Sequence, residues 1–141
     1  MHTEHLQNVR PSWVAFGWFL SAAATGLFVL ALIWLGVLER DTSAGGGWLL
    51  PAFAAGFFVG GWFTGQRTGG APILHAVGIG LFSVVAWVLL NLFAGEPTGA
   101  TAWDALPPAL TAGLILLQIL AAALGAAVGS GPARRAGITP R

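Results

Sequence analysis

Few side chains in this sequence could do chemistry, and His75 is the first to consider. It is the one ionisable residue inside an apolar stretch, near the start of a run from about Ile73 to Ala94. An imidazole there could relay protons across a membrane. It could also serve as the axial ligand of haem or chlorophyll. The expected role is simpler: about one turn inside the run, the ring can bond water, a lipid headgroup or a helix end. A two-histidine haem site would need a second histidine at depth, and only His2 and His5 in the N-terminal tail remain. No cofactor is therefore expected.

Three uncharged polar residues lie deeper in apolar runs: Ser83, Asn91 and Gln118. An amide in hydrocarbon seeks a partner, and such bonds between membrane helices average about 0.6 kcal/mol. Pairing between helices is the expected role. The alternative is a polar lining for a permeation path. Ser21 and Thr25 admit the same two readings.

Glycine is the most informative residue type. Gly56 and Gly60, then Gly61 and Gly65, repeat at four-residue spacing, as do Gly125 and Gly129. Ala22 and Gly26 share that spacing in the first run. Residues four apart lie on one helical face, so two backbones can approach closely there. Packing within one bundle is the first expectation, and docking to another copy or another subunit is the second.

Other chemistry is missing. There is no cysteine, which excludes disulfides and thiol catalysis. No nucleophile–base pair, metal-ligand cluster or phosphate loop is visible. The Gly-x-Gly at Gly78 and Gly80 lies within an apolar run, the wrong context for a nucleotide loop. No Asp, Glu, Lys or Arg falls within the expected spans. Ion-coupled transporters usually keep such a charge. Small multidrug exporters are also short four-helix proteins, but they depend on a glutamate in the first helix, and this first run has none. An enzyme is not expected.

The elements that hold these residues follow from hydropathy. Hydrophobic residues make up 56% of the chain and charged residues 8%, against roughly a quarter charged in soluble domains. A spanning helix needs about 20 apolar residues. Four runs qualify, at about 12–38, 48–65, 73–94 and 105–130, with tails at 1–11 and 131–141. Lipid offers the backbone no hydrogen bonds, so non-alternating runs must be helices. The expected fold is all-α, a single-domain integral membrane four-helix bundle. The first run is too long for a signal-peptide core, so it is expected to stay as an anchor. The breaks are marked by Glu39, Arg40 and Asp41 with three glycines, by Gln66 to Pro72, and by Gly95 to Gly99. Pro107 and Pro108 should open the fourth helix, and Gly131 and Pro132 should close it.

Arginine placement suggests the orientation. Arg10, Arg67, Arg134, Arg135 and Arg141 fall on one side, and only Arg40 falls on the other, beside two acids. The positive-inside rule then puts both termini in the cytoplasm. Trp13 and Trp62 would lie near that boundary, and Trp34, Trp48 and Trp103 near the opposite one. The basic pI of about 9.2 rests on few charges and forms no stripe, so nucleic acid is not an expected partner. Gly61, Arg67, Gly69 and Pro72 share their spacing with Gly129, Arg135, Gly137 and Pro140, which would fit a parallel duplication of helix pairs.

The stretch from Gly60 to Gly70, followed by His75, Gly78 and Gly80, resembles an element of small four-helix bacterial inner-membrane proteins with no assigned activity. In these, a Gly-Gly pair ends helix two, an arginine sits in a glycine-rich cytoplasmic turn, and a histidine opens helix three. The resemblance implies a bacterial inner membrane and carries no catalytic residue. The expected partners are the lipid bilayer and either other membrane subunits or further copies of the chain. The expected function is that of a non-catalytic accessory or structural subunit, or a self-associating scaffold. A small channel or transporter for an uncharged solute is the alternative.

Overall fold

The computed structural model describes residues 9–38, 46–68, 71–93 and 108–135, with the side chains of 46, 47, 90, 91, 108 and 132–135 outside that description. Four helices account for nearly all of it: α1 (Pro11–Trp34), α2 (Gly46–Arg67), α3 (Pro72–Phe93) and α4 (Pro108–Arg135). Each contains a stretch long and apolar enough to cross a bilayer. The fold is an all-α bundle of four such helices, with no strand among the described residues.

The fourth helix starts at Pro108, one of the two prolines expected to open it. Prolines stand at the first position of α1, α3 and α4, where a missing N–H costs no rung. Two ends differ from expectation. The first helix stops at Trp34 and does not run to Leu38. Gly36 takes a positive φ of 72°, its N–H bonds the Ile33 carbonyl at 3.1 Å, and the Val37 N–H bonds the Leu32 carbonyl at 2.9 Å. This is the Schellman closure that glycine permits, and hydropathy carries no sign of it. The fourth helix runs past Gly131 and Pro132 to Arg135. Pro132 removes one rung, to the carbonyl of Val128, whose residue is exposed. One lost rung near a helix end leaves the final turn in place.

Contacts between named residues fix the topology. Gly56 of α2 abuts Thr25 of α1, and Gly60 abuts Ser21, so α1 and α2 are antiparallel. Gly78 of α3 meets Val14, and Ser83 meets Trp18, so α1 and α3 run the same way. Phe58 and Trp62 of α2 meet Gly125 and Gly129 of α4 in the same order, so these two are parallel as well. The result is an up-down-up-down bundle. Helix α2 packs most extensively on α4 and next on α1; α3 packs on α4 and α1 and touches α2 across the middle. Helices α1 and α4 are not packed on each other.

The shared core is small: Val14, Phe57, Ala76, Ile79, Ala121, Ala122 and Ala126. Much of it is alanine, because the helices meet through backbone. Large apolar side chains such as Phe19, Leu27, Leu30, Leu120 and Leu124 point outward. In water that surface would be prohibitive; in lipid it costs nothing.

Candidate functional site: two glycine seams and the polar groups between the helices

The best-defined feature is the seam between α2 and α4. A Cβ on Gly61 would collide with the Ala122 carbonyl, and one on Gly65 with the Ala126 carbonyl. Reciprocally, a Cβ on Gly125 would strike the Phe58 carbonyl and one on Gly129 the Trp62 carbonyl. Each glycine thus sits over the carbonyl three residues before its counterpart. The seam has a local two-fold that pairs Gly61 with Gly125 and Gly65 with Gly129. It does not use the register that matches Gly61 to Gly129, the spacing that would fit a duplication. Of the rest of that pattern, Gly69, Gly137 and Pro140 lie outside the described residues.

The seam between α1 and α2 is built differently. Gly17, Ser21 and Thr25 form a buried stripe on α1. Against them lie Thr64, Gly60 and Gly56, also buried. Four-residue spacing on both helices makes the stripes match. The Ser21 and Thr25 hydroxyls donate to the Gly17 and Ser21 carbonyls, both at 2.8 Å. Thr64 and Thr68 donate to Gly60 and Thr64 in the same way, again at 2.8 Å. These hydroxyls therefore neither pair across helices nor line a path. Back-bonding within a helix satisfies them, and they act as small packing residues.

The α1 pair noted in the sequence lies elsewhere. Ala22 and Gly26 are exposed, and nothing lies within 4 Å of a Cβ placed on Gly26. The internal stripe is one register earlier, at Gly17, Ser21 and Thr25. Two four-residue patterns overlap on this helix, and spacing alone does not say which faces inward.

His75 is 1% exposed, and both its ring nitrogens are engaged. The Arg10 backbone N–H lies 3.0 Å from Nε2. That group can only donate, so Nε2 accepts and the neutral ring carries its proton on Nδ1. Nδ1–H then donates to the Ala71 carbonyl at 2.8 Å. With Nδ1 protonated and the Nε2 lone pair accepting from Arg10, no lone pair is free for an iron or magnesium centre. The expected contact with a helix end is present, joined by a second bond to the chain entering α1. Ala71 has a φ of 51°, a left-handed conformation that costs a residue with a Cβ about 1–2 kcal/mol. Its carbonyl also accepts the His75 backbone N–H at 3.1 Å. His75 therefore clamps the strained turn before α3 and ties it to the start of α1. Among the described residues no group of three metal-ligating side chains occurs.

The remaining polar residues divide. Ser83 accepts a bond from the Trp18 indole Nε1–H at 3.0 Å, between α3 and α1. This bond satisfies the indole N–H of Trp18 inside the span. Gln118 is buried in α4, and its Oε1 has no hydrogen-bond partner among the described residues. The side chain of Asn91 lies outside the described residues. An apolar cleft of about 300 Å³ opens between the end of α1 and the start of α2, lined by Phe28, Leu32, Trp48, Pro51, Ala52 and Ala55. Among the described residues its lining is almost wholly apolar.

Sequence reasoning missed three features: the Gly17 stripe, the bond from Arg10 to His75, and the pairing of Trp18 with Ser83. Aligning the glycine pairs of α2 and α4 on each other would have signalled the seam. A backbone N–H as the partner of a histidine leaves no trace in residue types. Comparison of the chain with known protein families, curated proteins and solved structures finds no match.

Proposed function

We propose that this chain is a non-catalytic membrane protein, acting as an accessory or structural subunit of a larger membrane complex or as a self-associating scaffold. The observation that carries this reading is the division of its small residues. Two sets close the bundle from within, and one pair, Ala22 and Gly26, faces outward on α1. The span of α1 is also the least enclosed, with 17% of its residues buried. A small-residue patch on such a helix lets a neighbouring helix approach closely. The interior favours a structural role too, since the hydroxyls of Ser21, Thr25, Thr64 and Thr68 are satisfied within their own helices.

The membrane we propose is a bacterial inner membrane, with both termini cytoplasmic. Arg10, Arg67, Arg134 and Arg135 all belong to one end of the bundle, given the topology above, and the positive-inside rule assigns that end to the cytoplasm. The likeness around Gly60 to Gly70 supports the bacterial assignment.

The test exploits the absence of native cysteine. Gly26→Cys should form a cross-linked product in native membranes under mild oxidation or with a short bifunctional reagent. A product at twice the chain's mass indicates self-association, and another mass indicates a different subunit. Leu124→Cys, on the exposed face of α4, serves as the comparison. No product from Gly26→Cys, or equal yields at both positions, contradicts the assignment of this face.

One observation favours the second reading, a small channel or uncharged-solute transporter: the unpartnered Gln118 Oε1 in the bundle interior. Flux into vesicles containing the purified chain, abolished by Gln118→Leu, would establish it.

A further inference from the structure

The arginine-bearing end of the bundle holds a surface that the subunit reading does not use. Arg67 is the last residue of α2, and its guanidinium lies over the Phe63 ring, 5.5 Å from the centroid. Phe63 meets Phe16 of α1 at 5.9 Å, and Phe16 meets Trp13 edge-on at 5.8 Å. A row of rings therefore runs across the outer face of α1 and α2 and ends at an exposed cation. Phe16 is half exposed, so the row faces lipid.

Charge at this end is uncompensated among the described residues, which include no Asp or Glu and four arginines. Arg10 stands at the N-cap of α1, where no side-chain cap bond forms and the first turn has no acidic residue. A cation there adds to the positive end of the helix dipole, the reverse of the favourable placement. An anion from outside the chain would relieve both. The ring row supplies an apolar platform directly below.

We propose that this surface binds an anionic phospholipid, its headgroup phosphate held by Arg67 with Arg10 contributing field, its acyl chain lying along Phe63 and Phe16, and Trp13 flanking the headgroup. A planar guanidinium suits bidentate phosphate contact, and its place over the Phe63 ring favours one direction for the Arg67 side chain. Trp13 lies at the depth where indoles meet headgroups. Basic sites beside membrane helices recognise such headgroups. The proposal is independent of whether the chain has protein partners.

Native mass spectrometry of the full chain, released from micelles doped with phosphatidylglycerol or phosphatidylcholine, tests it. The wild type should retain phosphatidylglycerol in preference to phosphatidylcholine. Arg67→Gln should reduce that retention about fivefold, the effect of one basic residue at a membrane surface. Arg67→Lys keeps the charge and the match to the α2 dipole, and should fall between the two. Phe63→Leu keeps the charge and the apolar bulk, and should also weaken retention. Helical circular dichroism should be unchanged in all three. Inorganic phosphate should not displace the lipid, because it cannot use the ring row. Equal retention of both lipids by the wild type, or full phosphatidylglycerol selectivity in Arg67→Gln, would overturn the proposal. Displacement by inorganic phosphate would overturn the acyl platform.

Discussion

His75 and Gln118 are both polar and buried, yet they predict opposite responses to substitution. His75 satisfies two backbone groups, the Arg10 N–H and the Ala71 carbonyl. In His75→Leu the Arg10 N–H loses its side-chain acceptor, and the strained turn at Ala71 loses its clamp. Losing one part-buried hydrogen bond costs about 1 kcal/mol, so thermal unfolding in detergent should shift to lower temperature. Gln118 is the reverse case: its Oε1 has nothing to accept. Gln118→Leu keeps the volume and removes the orphan, and should raise stability by about 1 kcal/mol. A destabilised Gln118→Leu protein would mean that the amide has a partner in the membrane. At this scale the sequence was legible in type but not in connection. Ser83, Gln118 and His75 stand out because polar residues are rare in these runs. Their partners are a tryptophan N–H, nothing described, and two backbone groups, and residue identity alone distinguishes none of these.

Between helices, the governing quantity is how closely two backbones approach. Gly61→Ala and Gly125→Ala each drive a methyl into a carbonyl of the opposing helix. Overpacking of this kind costs about 1–3 kcal/mol, and here it would push α2 and α4 apart. Gly26→Ala meets open space and should leave the isolated bundle unchanged. The contrast can be measured as thermal stability of the purified variants side by side. If Gly26→Ala destabilises the lone chain as much as Gly61→Ala does, the division into inward and outward faces is wrong. The four spans were readable from hydropathy because a bilayer imposes length and composition together. The glycine motifs of α2 and α4 were readable because only small residues let backbones meet. The inward face of α1 was not, since Gly17, Ser21 and Thr25 compete at the same spacing with Ala22 and Gly26. The end of α1 was hidden as well, because a glycine turn closed it before the hydrophobic residues ran out.

At the scale of the whole molecule, orientation and assembly are each open to direct measurement. With no native cysteine, Gly137→Cys and Thr98→Cys report the two sides of the membrane separately. An impermeant thiol reagent applied to intact cells should label Thr98→Cys and spare Gly137→Cys; the opposite pattern would invert the bundle and move the arginine end outside. The outer surface of the chain, rich in exposed leucine and phenylalanine, provides ample area for neighbours, and the least enclosed helix carries the small-residue patch. The central claim is that the chain works in association with other membrane proteins or with its own copies. Native mass spectrometry after gentle extraction from the native membrane tests this most directly. Whole-number multiples of 14.5 kDa or a larger mixed complex containing the chain are the expected result. A single species at the mass of one chain, free of other protein, would contradict it.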